Sequence, residues 1–84
     1  MTDDALLSAF LEMMAAERGA ARNTVEAYRR DLEDFTAALH RSGHTIVTAD
    51  CARINGYLRD ATAAGLSAAS RARRLSAIRQ LYRF

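Results

Sequence analysis

Apolar residues return at helical spacing along the whole chain, and four stretches of this kind are separated by glycines. In the first, about Asp3 to Arg18, Leu6, Leu7, Phe10, Leu11 and Met14 form one stripe. Asp3 or Asp4 is the expected N-cap, and Gly19 ends the stretch. The second opens on Asn23, with Glu26 three residues on as in a capping box, and Val25, Tyr28, Leu32, Phe35 and Leu39 hold the period for four turns. Gly43 is its expected C′ residue. The third starts near Thr48, with Asp50 favourable in the first turn, and turns Cys51, Ile54, Leu58 and Ala61 inward. Gly56 within it costs about 1 kcal/mol relative to alanine, and Gly65 closes it. The fourth runs from the N-cap Ser67 to Phe84. Leu75, Ile78, Leu81 and Tyr82 form its apolar side, while Arg73, Ser76 and Gln80 lie on the opposite arc, flanked by Arg79 and Arg83. The pattern predicts an all-α, four-helix fold. Its expected core is Leu6, Phe10, Tyr28, Leu32, Phe35, Leu39, Ile54, Leu58, Leu75 and Ile78.

Composition agrees: the chain lacks proline and tryptophan, and 84 residues suffice for one small domain. The net charge of +2 is uninformative, but its distribution is not. Met1 to Asp34 carries eight acids against four arginines, whereas Ala61 to Phe84 carries five arginines and no acid. All twelve basic residues are arginine, the better bidentate ligand for phosphate and guanine. The single cysteine, Cys51, can form no intrachain disulfide. No stretch approaches the roughly 18–20 apolar residues of a membrane span. The acidic start gives no basic n-region, so no signal peptide is expected. The large apolar residues Tyr82 and Phe84 at the end lead us to expect that the natural chain continues.

No catalytic or metal constellation stands out. His40 and His44 are four apart but separated by the helix-ending Gly43, and no other ligand lies at metal spacing. Cys51 reads as a buried, inert thiol. Asp31, Glu33 and Asp34 are expected to pair within their own helix, as Arg30 with Asp34. Tyr28, Tyr57 and Tyr82 are expected to pack in the core. No glycine-rich phosphate loop is present. Nucleic-acid chemistry remains. Two helices open on hydroxyl or amide residues and then present arginines: Asn23 and Thr24 before Arg29 and Arg30, and Ser67 to Ser70 before Arg73 and Arg74. Helix N-termini with hydroxyl groups seat phosphates, and arginines further along can reach bases. With no carboxylate on the fourth helix, Arg73 is expected to point outward, and its removal to change stability by no more than about 0.5 kcal/mol.

The stretches NTVEAYRRDLEDF (Asn23 to Phe35) and ARRLSAIRQLYRF (Ala72 to Phe84), with the opening DDALLSAFLEMMAAERGAARNT, resemble the N-terminal core-binding domain of tyrosine recombinases, and most nearly that of the Xer recombinases. The resemblance covers essentially the whole chain, residues 1–84. It implies a four-helix, SAM-like orthogonal bundle that forms half of a clamp on double-stranded DNA, with its second and fourth helices across the major groove. By position it implies DNA contacts for Thr24, Arg30, Ser70, Arg73 and Arg74. On the wheel, Arg29 and Arg79 are expected phosphate contacts. The family's catalytic groups lie in a following domain and map onto nothing here, so this chain is expected not to be an enzyme; Tyr82, on an apolar face, is not the nucleophile. No cofactor, metal, membrane or small-molecule substrate is implied. Partner protomers in a synaptic tetramer, a cytoplasmic, nucleoid-associated location, and chromosome dimer resolution or DNA integration are. The competing reading is a helical protein-interaction module that mediates recombinase oligomerisation, with the acidic first helix as the contact. A helix-turn-helix regulator ranks last, because no compact turn precedes a second helix of recognition length.

Overall fold

A computed structural model describes residues 2–84 and contains four helices: α1 (Asp3–Ala16), α2 (Arg22–Arg41), α3 (Cys51–Ala63) and α4 (Ala68–Arg83). The all-α expectation holds. The backbone forms a slab with extents of 33 × 30 × 17 Å. Helix α2 is central: α1 packs on one flank and α4 on the other, and α3 packs against α4.

The reason lies in the α2 stripe. Tyr28, Leu32, Phe35 and Leu39 are all buried, and they meet Leu7, Phe10, Leu11 and Met14 of α1 and Ala77, Ile78 and Leu81 of α4. Burying each large side chain contributes about 1.5–3 kcal/mol. Leu58 is the buried residue of α3. Of the expected core, Leu6, Ile54 and Leu75 are half-buried and pack against its edge. Phe35 sits where three helices converge, edge-to-face with Tyr57 of α3 at 5.2 Å and with Tyr82 of α4 at 6.5 Å.

Helix ends follow the glycines more closely than the expected caps. Gly43 (φ 78°) and Gly65 (φ 109°) take the left-handed conformation that ends α2 and α3, which a side chain would strain. At the N-termini only Ser67 caps as expected, accepting from the Ser70 amide at 3.1 Å. Thr2, not Asp3 or Asp4, caps α1. Helix α2 begins at Arg22, one residue before Asn23, with Ala21 at the cap position and no side-chain cap bond. Asp50, not Thr48, caps α3, because the Thr48 hydroxyl is engaged by the Thr45 amide in the preceding turn.

That turn inserts Ile46, 2% exposed, into the core. Its amide donates to both carboxylate oxygens of Asp3 (3.1 and 3.3 Å), and its carbonyl accepts from the Tyr82 hydroxyl at 2.6 Å. Asp3 is also 2.8 Å from His40 Nε2. Two further expectations are corrected here. Cys51 is exposed, not inward-facing; it is the first residue of α3, a turn before the Ile54–Leu58 stripe that meets the core. Tyr82 is 41% exposed, its ring against Phe35 and its hydroxyl held by the turn.

Candidate nucleic-acid interface

The seam between α2 and α4 is polar along its outer edge. Residues early in α2 meet residues late in α4. The Tyr28 hydroxyl accepts from Gln80 Nε2 at 3.0 Å and lies 3.4 Å from the Ser76 hydroxyl, and Gln80 Oε1 accepts from Arg18 at 2.8 Å. Further along, Asp31 is buried, 1% exposed, and grips Arg73 with both oxygens. Arg73 Nε donates to Oδ2 at 2.8 Å and Nη2 to Oδ1 at 3.0 Å. Next to it, Arg74 Nη1 donates to Asp34 Oδ2 and to the Tyr57 hydroxyl, both at 2.9 Å, and Tyr57 donates to Asp34 Oδ2 at 2.6 Å.

Three expectations change. The arginines of α4 are not uncompensated: two of the five are answered by carboxylates of α2. Asp34 pairs across helices with Arg74 rather than with Arg30. Tyr57 is half-buried, with its ring on Phe35 and its hydroxyl in the ion-pair network. Burial, and then the bond to Asp34, push its phenol well above the ordinary tyrosine range, so it stays protonated as a donor. The Asp31 bond, followed by the Asp31 charge, holds the Arg73 guanidinium above its ordinary value. For Arg74, burial works against the charge, but Tyr57, Asp31 and Asp34 more than offset it.

The expected DNA contacts divide by placement. Thr24 lies two turns before Asp31 on the same line of α2, and Arg30 lies one turn before Asp34. Both therefore flank α4. Ser70 and Arg73 occupy the first two turns of α4, and of these four residues it is Arg73 that makes a side-chain contact across the seam. Arg74 is drawn inward, its side chain only 16% exposed. Arg79 is exposed, one turn past Ser76 on the outer arc of α4. Arg29, two residues before Asp31, comes out on the far flank of α2 and lies 3.5 Å from Glu26. Among the described residues, Arg30, Arg71, Arg79 and Arg83 have no carboxylate in ion-pair reach.

Asp31 is the residue the sequence reading missed, and it had left a trace. It stands three residues after Tyr28 and four before Phe35, inside the apolar stripe. An acid there must be buried, and a buried carboxylate requires a cation. Among the described residues, no group of three His, Cys, Asp or Glu side chains could hold a metal ion, and no helix is long and apolar enough to cross a membrane.

Comparison with known proteins gives a consistent picture. A sequence model of the family "Phage integrase, N-terminal SAM-like domain" matches residues 7–84. The chain is 57% identical over 81 residues to tyrosine recombinase XerD of Caulobacter vibrioides, covering 96% of this chain and 27% of that protein. It is 49% identical to the XerD proteins of Bradyrhizobium diazoefficiens (99% of this chain, 26% of that protein) and Agrobacterium fabrum (98% and 25%). The chain thus spans about a quarter of the length of these relatives. No solved structure matches it.

Proposed function

The chain belongs to the phage integrase N-terminal SAM-like family, and on that premise we propose that it is the DNA-gripping half-clamp of a tyrosine recombinase. The 84 residues correspond to the N-terminal domain and do not include a catalytic one. In this reading α2 and α4 lie across the major groove of a recombination half-site. Thr24, Arg30, Ser70 and Arg73 face the DNA and Arg79 lies on the flank. Arg74 supports the face from beneath. Arg29, on the far flank of α2, would reach only a neighbouring phosphate.

One observation carries the proposal. The outer edge of the α2–α4 seam carries Tyr28, Ser76, Gln80, Arg18 and Arg73, and α4 offers arginines without carboxylate partners and no acid of its own. A face of that kind attracts a polyanion. The likeness to tyrosine recombinases supports a recombination role, and in this reading the pathway is chromosome dimer resolution or DNA integration, in a cytoplasmic, nucleoid-associated setting with partner protomers in a synaptic tetramer. A protein contact on α1 is compatible with DNA on the α2–α4 face, although the two surfaces adjoin where Arg18 bonds Gln80. Glu12 and Glu17 line a shallow depression with Met13, Arg83 and the half-exposed Phe84, and this is the surface we assign to oligomerisation.

The test is a titration of the chain against duplex DNA at two salt concentrations. A lone half-clamp should bind non-specifically with a dissociation constant on the order of 10⁻⁴ to 10⁻⁶ M. Arg30→Ala and Arg79→Ala, chosen because neither has an internal partner, should each weaken binding and reduce the salt slope by about one unit. Glu12→Gln should bind as the wild type does. Wild-type affinity in both arginine variants would remove the α2–α4 face from the DNA.

A further inference from the structure

We propose that Asp31 is a positioning residue for sequence selectivity: it fixes the Arg73 guanidinium so that its outer edge meets a base pair in one orientation. This rests on the DNA reading above. A guanidinium has five N–H donors. Asp31 occupies two of them, on Nε and Nη2, leaving both on Nη1 and one on Nη2. The free Nη1–Nη2 edge is the one that can pair with two acceptors at once, such as O6 and N7 of guanine.

Asp31 is suited to hold that edge still. It is buried on the central helix, with its side chain 2% exposed, while that of Arg73 is 45% exposed. The anchor is therefore in the protein interior and the working edge is at the surface. Arg74 supports the anchor from the other side, with its Nε 3.4 Å from Asp31 Oδ1. That Nε is buried and makes no hydrogen bond, so Arg74 contributes charge there rather than a second grip. Arginine loses much rotamer freedom when it binds; here that freedom is already lost before DNA arrives, which favours the pre-set orientation over others.

Two consequences have opposite signs. Asp31 puts a negative charge beneath a surface that binds a polyanion, so it opposes binding to DNA in general. By orienting Arg73, it favours one base pair over the rest. Neutralising it should therefore loosen selectivity without weakening general affinity, a combination that mere loss of structure does not produce.

The experiment uses a random-sequence duplex library at low salt, with the bound fraction sequenced and the bulk dissociation constant measured. Asp31→Asn keeps the shape and removes the charge. At the base pair whose preference Arg73→Lys flattens, Asp31→Asn should lose about tenfold in discrimination, the scale of one bidentate contact. Its bulk affinity for the library should equal or exceed that of the wild type. Selection as sharp as the wild type's would overturn the proposal, as would a wild-type chain that binds but selects nothing. A wild-type chain that binds no duplex would instead sink the DNA reading, and the bulk curve shows this separately. Should Asp31→Asn fail to fold, side-chain NMR of the wild type still decides. The Arg73 Nε–H should exchange slowly with water, unlike those of Arg71 and Arg79, and equal exchange for all three contradicts the anchoring.

Discussion

Replacing Phe35 with alanine is expected to destabilise the chain by about 3–5 kcal/mol, the range for a fully buried phenylalanine. Phe35 has no exposure, and its ring ties α2 to α3 through Tyr57 and to α4 through Tyr82. Surrounding groups cannot easily close over the cavity. Tyr57 is held by Asp34 and Arg74, and Tyr82 by the Ile46 carbonyl. A domain of this length has a total stability of roughly 4–12 kcal/mol, from about 0.05–0.15 kcal/mol per residue. The variant should thus approach the unfolding threshold, with a urea midpoint well below the wild type's. A loss under about 1 kcal/mol would place the centre of the core elsewhere.

The second large effect falls on a half-exposed residue. Arg73→Ala is expected to cost about 2–3 kcal/mol of stability, the scale of a lost hydrogen-bonded charge pair. The cause is what remains behind. Asp31 would stay buried with its two best hydrogen bonds gone and only the Arg74 Nε at 3.4 Å nearby. Water at the exposed half of Arg73 keeps the figure below the 3–5 kcal/mol of breaking a fully buried pair. Removing Asp31 as well should restore part of the loss, because the stranded carboxylate goes with it. A double-mutant cycle by chemical denaturation measures the coupling. Coupling near zero would mean that the ion pair adds nothing to the fold. The same result bears on DNA work: lower binding by Arg73→Ala counts as a lost contact only where the variant remains folded, which is why Arg30 and Arg79 make the cleaner probes.

Much of this architecture was legible because helical period is a local property. The stripes of α1, α2 and α4 and the stops at Gly19, Gly43 and Gly65 all follow from residues within two turns of one another. What was not legible is non-local. Asp31 and Arg73 are 42 residues apart, and nothing near either names the other. Asp34 looked satisfied by Arg30 one turn away, whereas the packing of α2 on α4 brings Arg74 and Tyr57 to it. Ile46 lies outside any helix, so no periodicity marks it as core; its side chain joins the apolar cluster while Asp3 and Tyr82 hold its backbone amide and carbonyl. The observed N-caps lie within two residues of Asp3, Asn23 and Thr48: Thr2 and Asp50 offer competing side-chain caps, and Ala21 at the cap position of α2 offers none. For the candidate site, the residue types were readable and their division of labour was not. The spacing put Arg73 and Arg74 on the same footing, and only the fold separates the one held at the surface from the one drawn beneath it.

In the proposed reading, DNA lies across the α2–α4 seam. The most direct measurement is an amide NMR titration of the chain with a short duplex, read residue by residue. The shifts should cluster at the start of α2, around Thr24 and Arg30, and along the outer arc of α4, from Ser67 through Arg73 to Arg79, and they should fade as salt is raised. The amides of Glu12 and Glu17 on α1 should stay in place. Shifts that gather on α1 and spare Thr24, Arg30, Ser70 and Arg73 would contradict the claim and leave the arginine face as solvated charge.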